Sequence, residues 1–533
     1  MKQRRVVLIL QLAVVLCVCT FFFFFGLGAF GLVGADEPRY AQIAREMFNR
    51  HDWIVPTLNG QPWLEKPVFL YWKIWNSYDI FGVHDWAARI PAAGHASTLV
   101  LVVFFFMRRF RPGSQMMAAL ITASSAAMIG FGRGASTDML LSATFAMAMF
   151  SWFAWHRTAR KLWLSFFYAL LAIGALTKGP VAPALAILIV AAYAFLRHDK
   201  KIFLRSLWWP GFLLFFLIAL PWYVAVQIKE PQFFRLFFIE HNLERFGTNL
   251  YQHSQPFWYY IPVFLLSALP WTVFTIMAMV EAGKAGIQRI RTGESTAEKD
   301  DGLTIFLLIW ILLPIVFFSV SRSKLPGYIL PAIPAAALLT ADYLWRSLRV
   351  SRWAMMVHSL VCGGIIGGAL AAPSLMLKAP LTENARTWII TGTGLIAILV
   401  LLIVRLGGLR MLHFATLIPV IVSMAFLLRP AAPVIDEVAS ARTVHERLLE
   451  LGTPDEVPIA VFNVKRDVEY GLNFYRNQPI GRYERNEIPA DAHVAIVREG
   501  NGPALQAAVG QRHTSLLGNF PPQHLQFFLV SKR

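Results

Sequence analysis

The chain has 533 residues, 56% of them hydrophobic, 14% aromatic and only 15% charged, with a formal net charge of +18. So much apolar surface cannot be hidden inside an ordinary soluble globule, so the composition reads as a polytopic membrane protein. Nor does the charge indicate a nucleic-acid partner, because the basic residues recur in short clusters between apolar runs rather than forming one patch.

The first apolar run, 6–33, is far longer than the ~7–15 residues of a signal-peptide core and is expected to be a retained first span. Further spans are expected near 87–107, 114–131, 139–155, 162–177, 180–196, 208–226, 257–279, 302–320, 327–345, 353–372, 386–404 and 411–428, about thirteen in all. The segments "MKQRR", "RRFR", "HRTARK", "RHDKKIFLR", "GKAGIQRIRTGESTAEK", "RSLRVSR" and "RLGGLR" then fall on one side, which the positive-inside rule makes cytoplasmic. An odd number of spans puts the C-terminus outside. The three cysteines, Cys17, Cys19 and Cys362, lie in apolar runs and support neither disulfides nor a thiolate metal site. No nucleotide-binding loop is found, since "GLGAFGLVG" sits within the first run and reads as span packing.

The external loop 34–86 contains "DEPRYAQIAREMF", with Asp36 as helix N-cap, Pro38 in the first turn, and Tyr40, Ile43, Ala44 and Met47 at helical spacing. An amphipathic helix on the membrane surface is predicted. After the turn-rich "WIVPTLNGQPW", a second such helix is predicted in "KPVFLYWKIWNSYDIFG", rich in the aromatic residues that favour interfaces. The transmembrane domain is assigned to 1–429, and 430–533 to a small external α/β domain. In the latter "DEVASARTVHERLLEL" and "VEYGLNFYRN" are expected to be helices, and "VPIAVFNV", "HVAIVRE" and "LQFFLVS" short buried strands.

Asp36, Glu37, Arg39, Glu65, Lys66, Asp138, Lys178, His241, Glu244, Arg245 and Lys324 all fall in external segments or at external span ends. Charges at such depth are costly and are usually paired or functional. Carboxylates beside cations suit a displacement in which an acid takes a proton from a nucleophile while Lys and Arg stabilise an anionic leaving group. Outside the cytoplasm, a phosphate-linked membrane lipid is a plausible donor class.

The ordered set "ADEPRYAQIAREM", "DWIVPTLNGQPWLEKPVFLYW", "DML", "EHNLERF" and "SKLPGYILP" resembles the aminoarabinose lipid A transferases and the wider GT-C membrane glycosyltransferases that include protein O-mannosyltransferases. The resemblance implies that Asp36 is the general base, with Asp138 a second acidic site residue and Glu37 next in line. It implies donor-phosphate binding by Lys66, Arg245 and Lys324, with Arg39 a weaker candidate. It also implies a divalent metal (zinc, magnesium or manganese) shared by Glu65 and His241. The implied activity is inverting transfer of a sugar from a polyprenyl phosphate to a lipid, glycan or protein acceptor at the external face of a bacterial inner membrane, lipid A being one such acceptor. The rival reading is a transporter or lipid flippase. Against it, the candidate groups gather at one side of the membrane, and no matched pair of interrupted spans marks inverted repeats.

Overall fold

The computed structural model describes residues 2–244, 255–292, 302–347 and 350–531. Ten helices among them are long and apolar enough to cross a membrane. Two further pairs, Gln115–Ser124 with Ala126–Gly132 and Phe257–Ser267 with Thr272–Gln288, bend by 62° and 117°, and the apolar helix Val181–Leu196 is shorter. Each expected span coincides with one of these elements. The two bends lie against each other: the Ala126 amide freed by one donates to the Leu269 carbonyl of the other at 2.8 Å, and Trp271 Nε1 donates to Ser124 Oγ at 2.9 Å. Broken backbone is thus satisfied inside protein, as an apolar surrounding demands.

The first span differs from expectation. Helix α1 (Lys2–Cys19) runs through a wider turn to Phe24, and residues 25–35 are irregular rather than helical. Gly26 and Gly34 take positive φ, and buried arginines bind the open carbonyls. Arg89 donates to Leu27, Phe30 and Gly31, and Arg133 to Phe22 and Gly26. The glycines of "GLGAFGLVG" therefore shape a loop and do not pack a span.

Helices α2 (Asp36–Arg50) and α3 (Phe69–Phe81) form as predicted, with Tyr40, Ile43, Ala44 and Met47 buried on one face of α2. Between them β1 (Thr57–Leu58) and β2 (Gln61–Pro62) make a small hairpin. Then come α4 (Asp85–Phe110), α5 (Gln115–Ser124), α6 (Ala126–Gly132), α7 (Thr137–Thr158), α8 (Lys161–Lys178) and α9 (Val181–Leu196). At the opposite end of the bundle two of the basic segments meet: Arg111 and Arg346 both engage the buried Asp342, at 3.0 and 3.1 Å.

The C-terminal region holds a five-stranded sheet of β3 (Ile459–Phe462), β4 (Gly481–Arg482), β5 (His493–Arg498), β6 (His513–Phe520) and β7 (Leu525–Ser531) in the order β4-β3-β5-β7-β6. β3 runs parallel to β4 and β5, while the β5–β7 and β7–β6 pairs are antiparallel. The three expected strands are present; β4 and β6 went unread. The helix expected over "DEVASARTVHERLLEL" is two, Ala432–Ala439 and Arg442–Glu450. Ser440 is extended between them, bridges to Val33, and accepts the Arg442 amide on its Oγ. This region is joined to the loop before α2: the Gly31 amide donates to Asp436 and the Leu32 amide to the Tyr475 hydroxyl, each at 2.8 Å.

Candidate active site

The residue before α2 is Ala35, and Asp36 is already in the first helical turn with no capping bond from its side chain. The expectation of an N-cap is corrected accordingly. Asp36 instead pairs with Arg39 one turn on, and its side chain is 56% exposed while that of Arg39 is 12% exposed. A carboxylate oriented by a guanidinium yet open to solvent can accept a proton from an incoming hydroxyl. Arg39 lies against the rings of Tyr40, Trp63 and Tyr470, 5.0–5.4 Å from their centroids. Burial alone would weaken its charge, but the carboxylates of Asp36 and Glu65 outweigh that and hold it protonated. Burial, reinforced by Asp36, pushes the Tyr40 phenol up, so Tyr40 stays neutral.

Its neighbour Glu37 has a different task. Its carboxylate accepts from Arg89 Nη2 at 2.7 Å and Nε at 3.1 Å, from the Val33 amide at 2.9 Å and from the Ala135 amide at 2.7 Å. With four donors on two oxygens and little exposure, it joins α2, α4, the 25–35 loop and the turn before α7. The expectation of a reserve base at Glu37 gives way to this structural knot.

Asp138, at the start of α7, pairs with Lys178 at the end of α8. It is also pressed by the backbone of "KLPGY": a Cβ on Gly327 would lie 2.7 Å from its Cγ and 2.9 Å from both carboxylate oxygens. The Lys178 ammonium lies 4.8 Å from the centroid of Tyr328. Beside this pair opens a cleft whose polar lining is Lys66, Lys178, His241, Ser321, Ser323 and Tyr328, and whose apolar walls are Leu141, Val181, Phe237 and Phe318. Asp36 and Asp138 both reinforce the effect of burial on the Tyr40 phenol.

Of the candidate residues, Asp36, Arg39, Glu65, Lys66, Asp138 and His241 are brought to this one end of the bundle. The "EK" pair divides: Glu65 bears on Arg39, and Lys66 lines the cleft. Lys324 is buried and donates its ammonium to the carbonyl of Ser321, a residue of the cleft lining. Arg245 lies outside the described residues. Among the described residues no three His, Cys, Asp or Glu side chains form a metal-holding group. Glu65 and His241 would offer two ligands between them, fewer than a protein zinc centre normally provides. Arg89 and Arg133 carry no motif signal of their own, and the resemblance implies no role for Lys178 or Tyr328. A basic residue inside an otherwise apolar span is the signal that marks Arg89.

A family model for dolichyl-phosphate-mannose-protein mannosyltransferases matches residues 65–224. The chain superposes on ArnT of Cupriavidus metallidurans bound to undecaprenyl phosphate with a TM-score of 0.78 and 22% identity, covering 98% of this chain and 97% of that one. The fold is that of the GT-C membrane glycosyltransferases. Within that group the chain resembles the aminoarabinose lipid A transferases. It is 31% identical over 341 residues to the undecaprenyl phosphate-α-4-amino-4-deoxy-L-arabinose arabinosyl transferase of Serratia proteamaculans, covering 62% of this chain and 59% of that protein. The counterpart from Edwardsiella ictaluri is 32% identical over 366 residues, 67% of this chain and 62% of the relative. The chain thus spans about three fifths of the length of the curated relatives it matches.

Proposed function

We propose that this GT-C protein transfers a sugar from undecaprenyl phosphate to an acceptor hydroxyl at the external membrane face, in the manner of lipid A modification. The observation that carries the reading is the cleft beside the Asp138–Lys178 pair. Two lysines, a histidine, a tyrosine and two serines form its polar part, and leucine, valine and phenylalanines form the rest. A phosphate fits the ammoniums through charge-assisted bonds, and a prenyl chain fits the walls. Arg39 Nε, Trp63 Nε1 and the Tyr71 hydroxyl are buried donors with no protein partner among the described residues, which suits the hydroxyls of a sugar.

In the reaction the acceptor oxygen bonds to the anomeric carbon from the face opposite the phosphate and gives its proton to Asp36. The bond from that carbon to the phosphate oxygen breaks, its electron pair leaving on undecaprenyl phosphate, and the configuration inverts. Lys66 and the Lys178–Asp138 pair steady the charge of the leaving phosphate. A divalent metal on Glu65 and His241 would add Lewis acidity, but the two ligands do not make a centre on their own, and no step here depends on one.

The basic segments at the opposite end of the bundle support a cytoplasmic N-terminus and an external site and C-terminal domain. An export-dependent reporter fused to the C-terminus should be active; activity only in the cytoplasm would reverse this orientation. The function itself is tested by mass spectrometry of lipid A and glycoproteins from cells with and without the protein. Purified protein given undecaprenyl phosphate-α-4-amino-4-deoxy-L-arabinose and lipid A tests it directly. Identical envelopes and no transfer in vitro would reject it.

A further inference from the structure

The C-terminal region has its own apolar core around the sheet, yet two of its side chains, Tyr470 and Phe474, are buried with the core of the membrane domain instead. Both lie on the helix Arg466–Arg476, which packs against α2. Phe474 also presents its carbonyl to Arg45 at 2.9 Å, and its neighbour Asn473 reaches Asn59 at 2.8 Å. On the other side of α2, Tyr475 and Asp436 hold the amides of Leu32 and Gly31, and Arg442 reaches Asp85 at 3.3 Å while also binding Asp436. Gly31 leaves no slack, since a Cβ there would lie 2.2 Å from Ser440 Oγ and 2.4 Å from the Tyr475 hydroxyl. The helix is therefore fixed in register against the segment that carries Asp36.

In this contact the Arg39 guanidinium carbon lies over the Tyr470 ring, 5.4 Å from its centroid, and 5.0 Å from the centroid of Trp63. Arg39 in turn holds Asp36. Resting on the glycosyltransferase reading, we propose that Tyr470 is a positioning residue supplied by the C-terminal domain. Its ring face holds Arg39 at Asp36, so this domain is a working part of the transfer site rather than a cover over it. A guanidinium over a desolvated ring is held electrostatically as well as sterically, and an aliphatic side chain supplies only the steric part.

The test uses the full-length protein in nanodiscs, with undecaprenyl phosphate-α-4-amino-4-deoxy-L-arabinose as donor and lipid A as acceptor. Tyr470→Leu and Tyr470→Met should lower kcat about tenfold and leave the donor KM unchanged, because the lysines of the cleft are untouched. Tyr470→Phe should stay within about twofold of wild type. Should the aliphatic variants fail to fold, progressively fluorinated phenylalanines at position 470 drain the ring face at nearly constant shape, and kcat should fall along the series. A flat series, or Y470L turning over like wild type, overturns the proposal while leaving the proposed function intact. A change confined to the donor KM overturns it too. A wild-type protein that transfers nothing overturns both.

Discussion

Asp36 and Glu37 are adjacent carboxylates in one helical turn, and the structure predicts opposite consequences for their loss. Glu37→Ala removes the acceptor for Nη2 and Nε of the Arg89 guanidinium, bound at 2.7 and 3.1 Å, and for the amides of Val33 and Ala135. The side chains of Arg89 and Glu37 are only 3% and 10% exposed, so solvent screens this pair little. Removing one partner of such a buried pair costs about 3–5 kcal/mol. The carbonyls of Leu27, Phe30 and Gly31 still bind Arg89 and favour the lower end of that range. Glu37→Gln keeps one acceptor oxygen and should cost roughly half as much. In detergent or nanodiscs the melting temperature of Glu37→Ala should fall by about 5 °C or more, with turnover of the surviving folded fraction reduced far less. Asp36→Asn should do the reverse, slowing turnover by roughly 10²–10⁴-fold at an unchanged melting temperature, because Asp36 is more than half exposed and makes no capping bond. If Glu37→Ala keeps the wild-type melting temperature and abolishes transfer, Glu37 acts chemically and the assignment of the two roles is refuted.

Lys66→Ala should raise the donor KM by about tenfold or more, as expected for one charge-assisted phosphate contact, without unfolding; unchanged kinetics at limiting donor would remove Lys66 from the phosphate site. Gly327→Ala drives a methyl into the Asp138 carboxyl, an overpacking cost of about 1–3 kcal/mol, and should lower turnover by displacing the Asp138–Lys178 pair; wild-type rates would show that the pair has no part in the reaction. Exhaustive chelation should leave substantial transfer, because no group of three or more His, Cys, Asp or Glu side chains that could hold a metal is found among the described residues; complete loss, restored by zinc, magnesium or manganese alone, would make a metal obligatory.

Apolar run length was enough to locate the helices among the described residues that are long and apolar enough to cross a membrane, because a bilayer imposes one length scale on any chain that crosses it. The period of "DEPRYAQIAREMF" likewise determined α2 and its buried face, and the motif set pointed to the transferase-like fold and to Asp36, Lys66 and Asp138. Hydropathy could not end the first span at Phe24, since a loop as apolar as 25–35 differs from a helix only through its partners. Those partners, Arg89, Arg133 and Tyr475, come from elsewhere in the chain. The bend at Ser125 is equally silent in sequence, whereas Pro270 marks the one after Leu269; the Ala126 amide freed by the first is satisfied by the Leu269 carbonyl of the second. Only the tertiary structure separated Asp36 from Glu37 and set the Lys324 ammonium on the Ser321 carbonyl. It also set Tyr470 on Arg39 across some 430 residues of chain. What a charged side chain does depends on which distant donors and rings surround it, and that is decided by packing rather than by its neighbours in sequence.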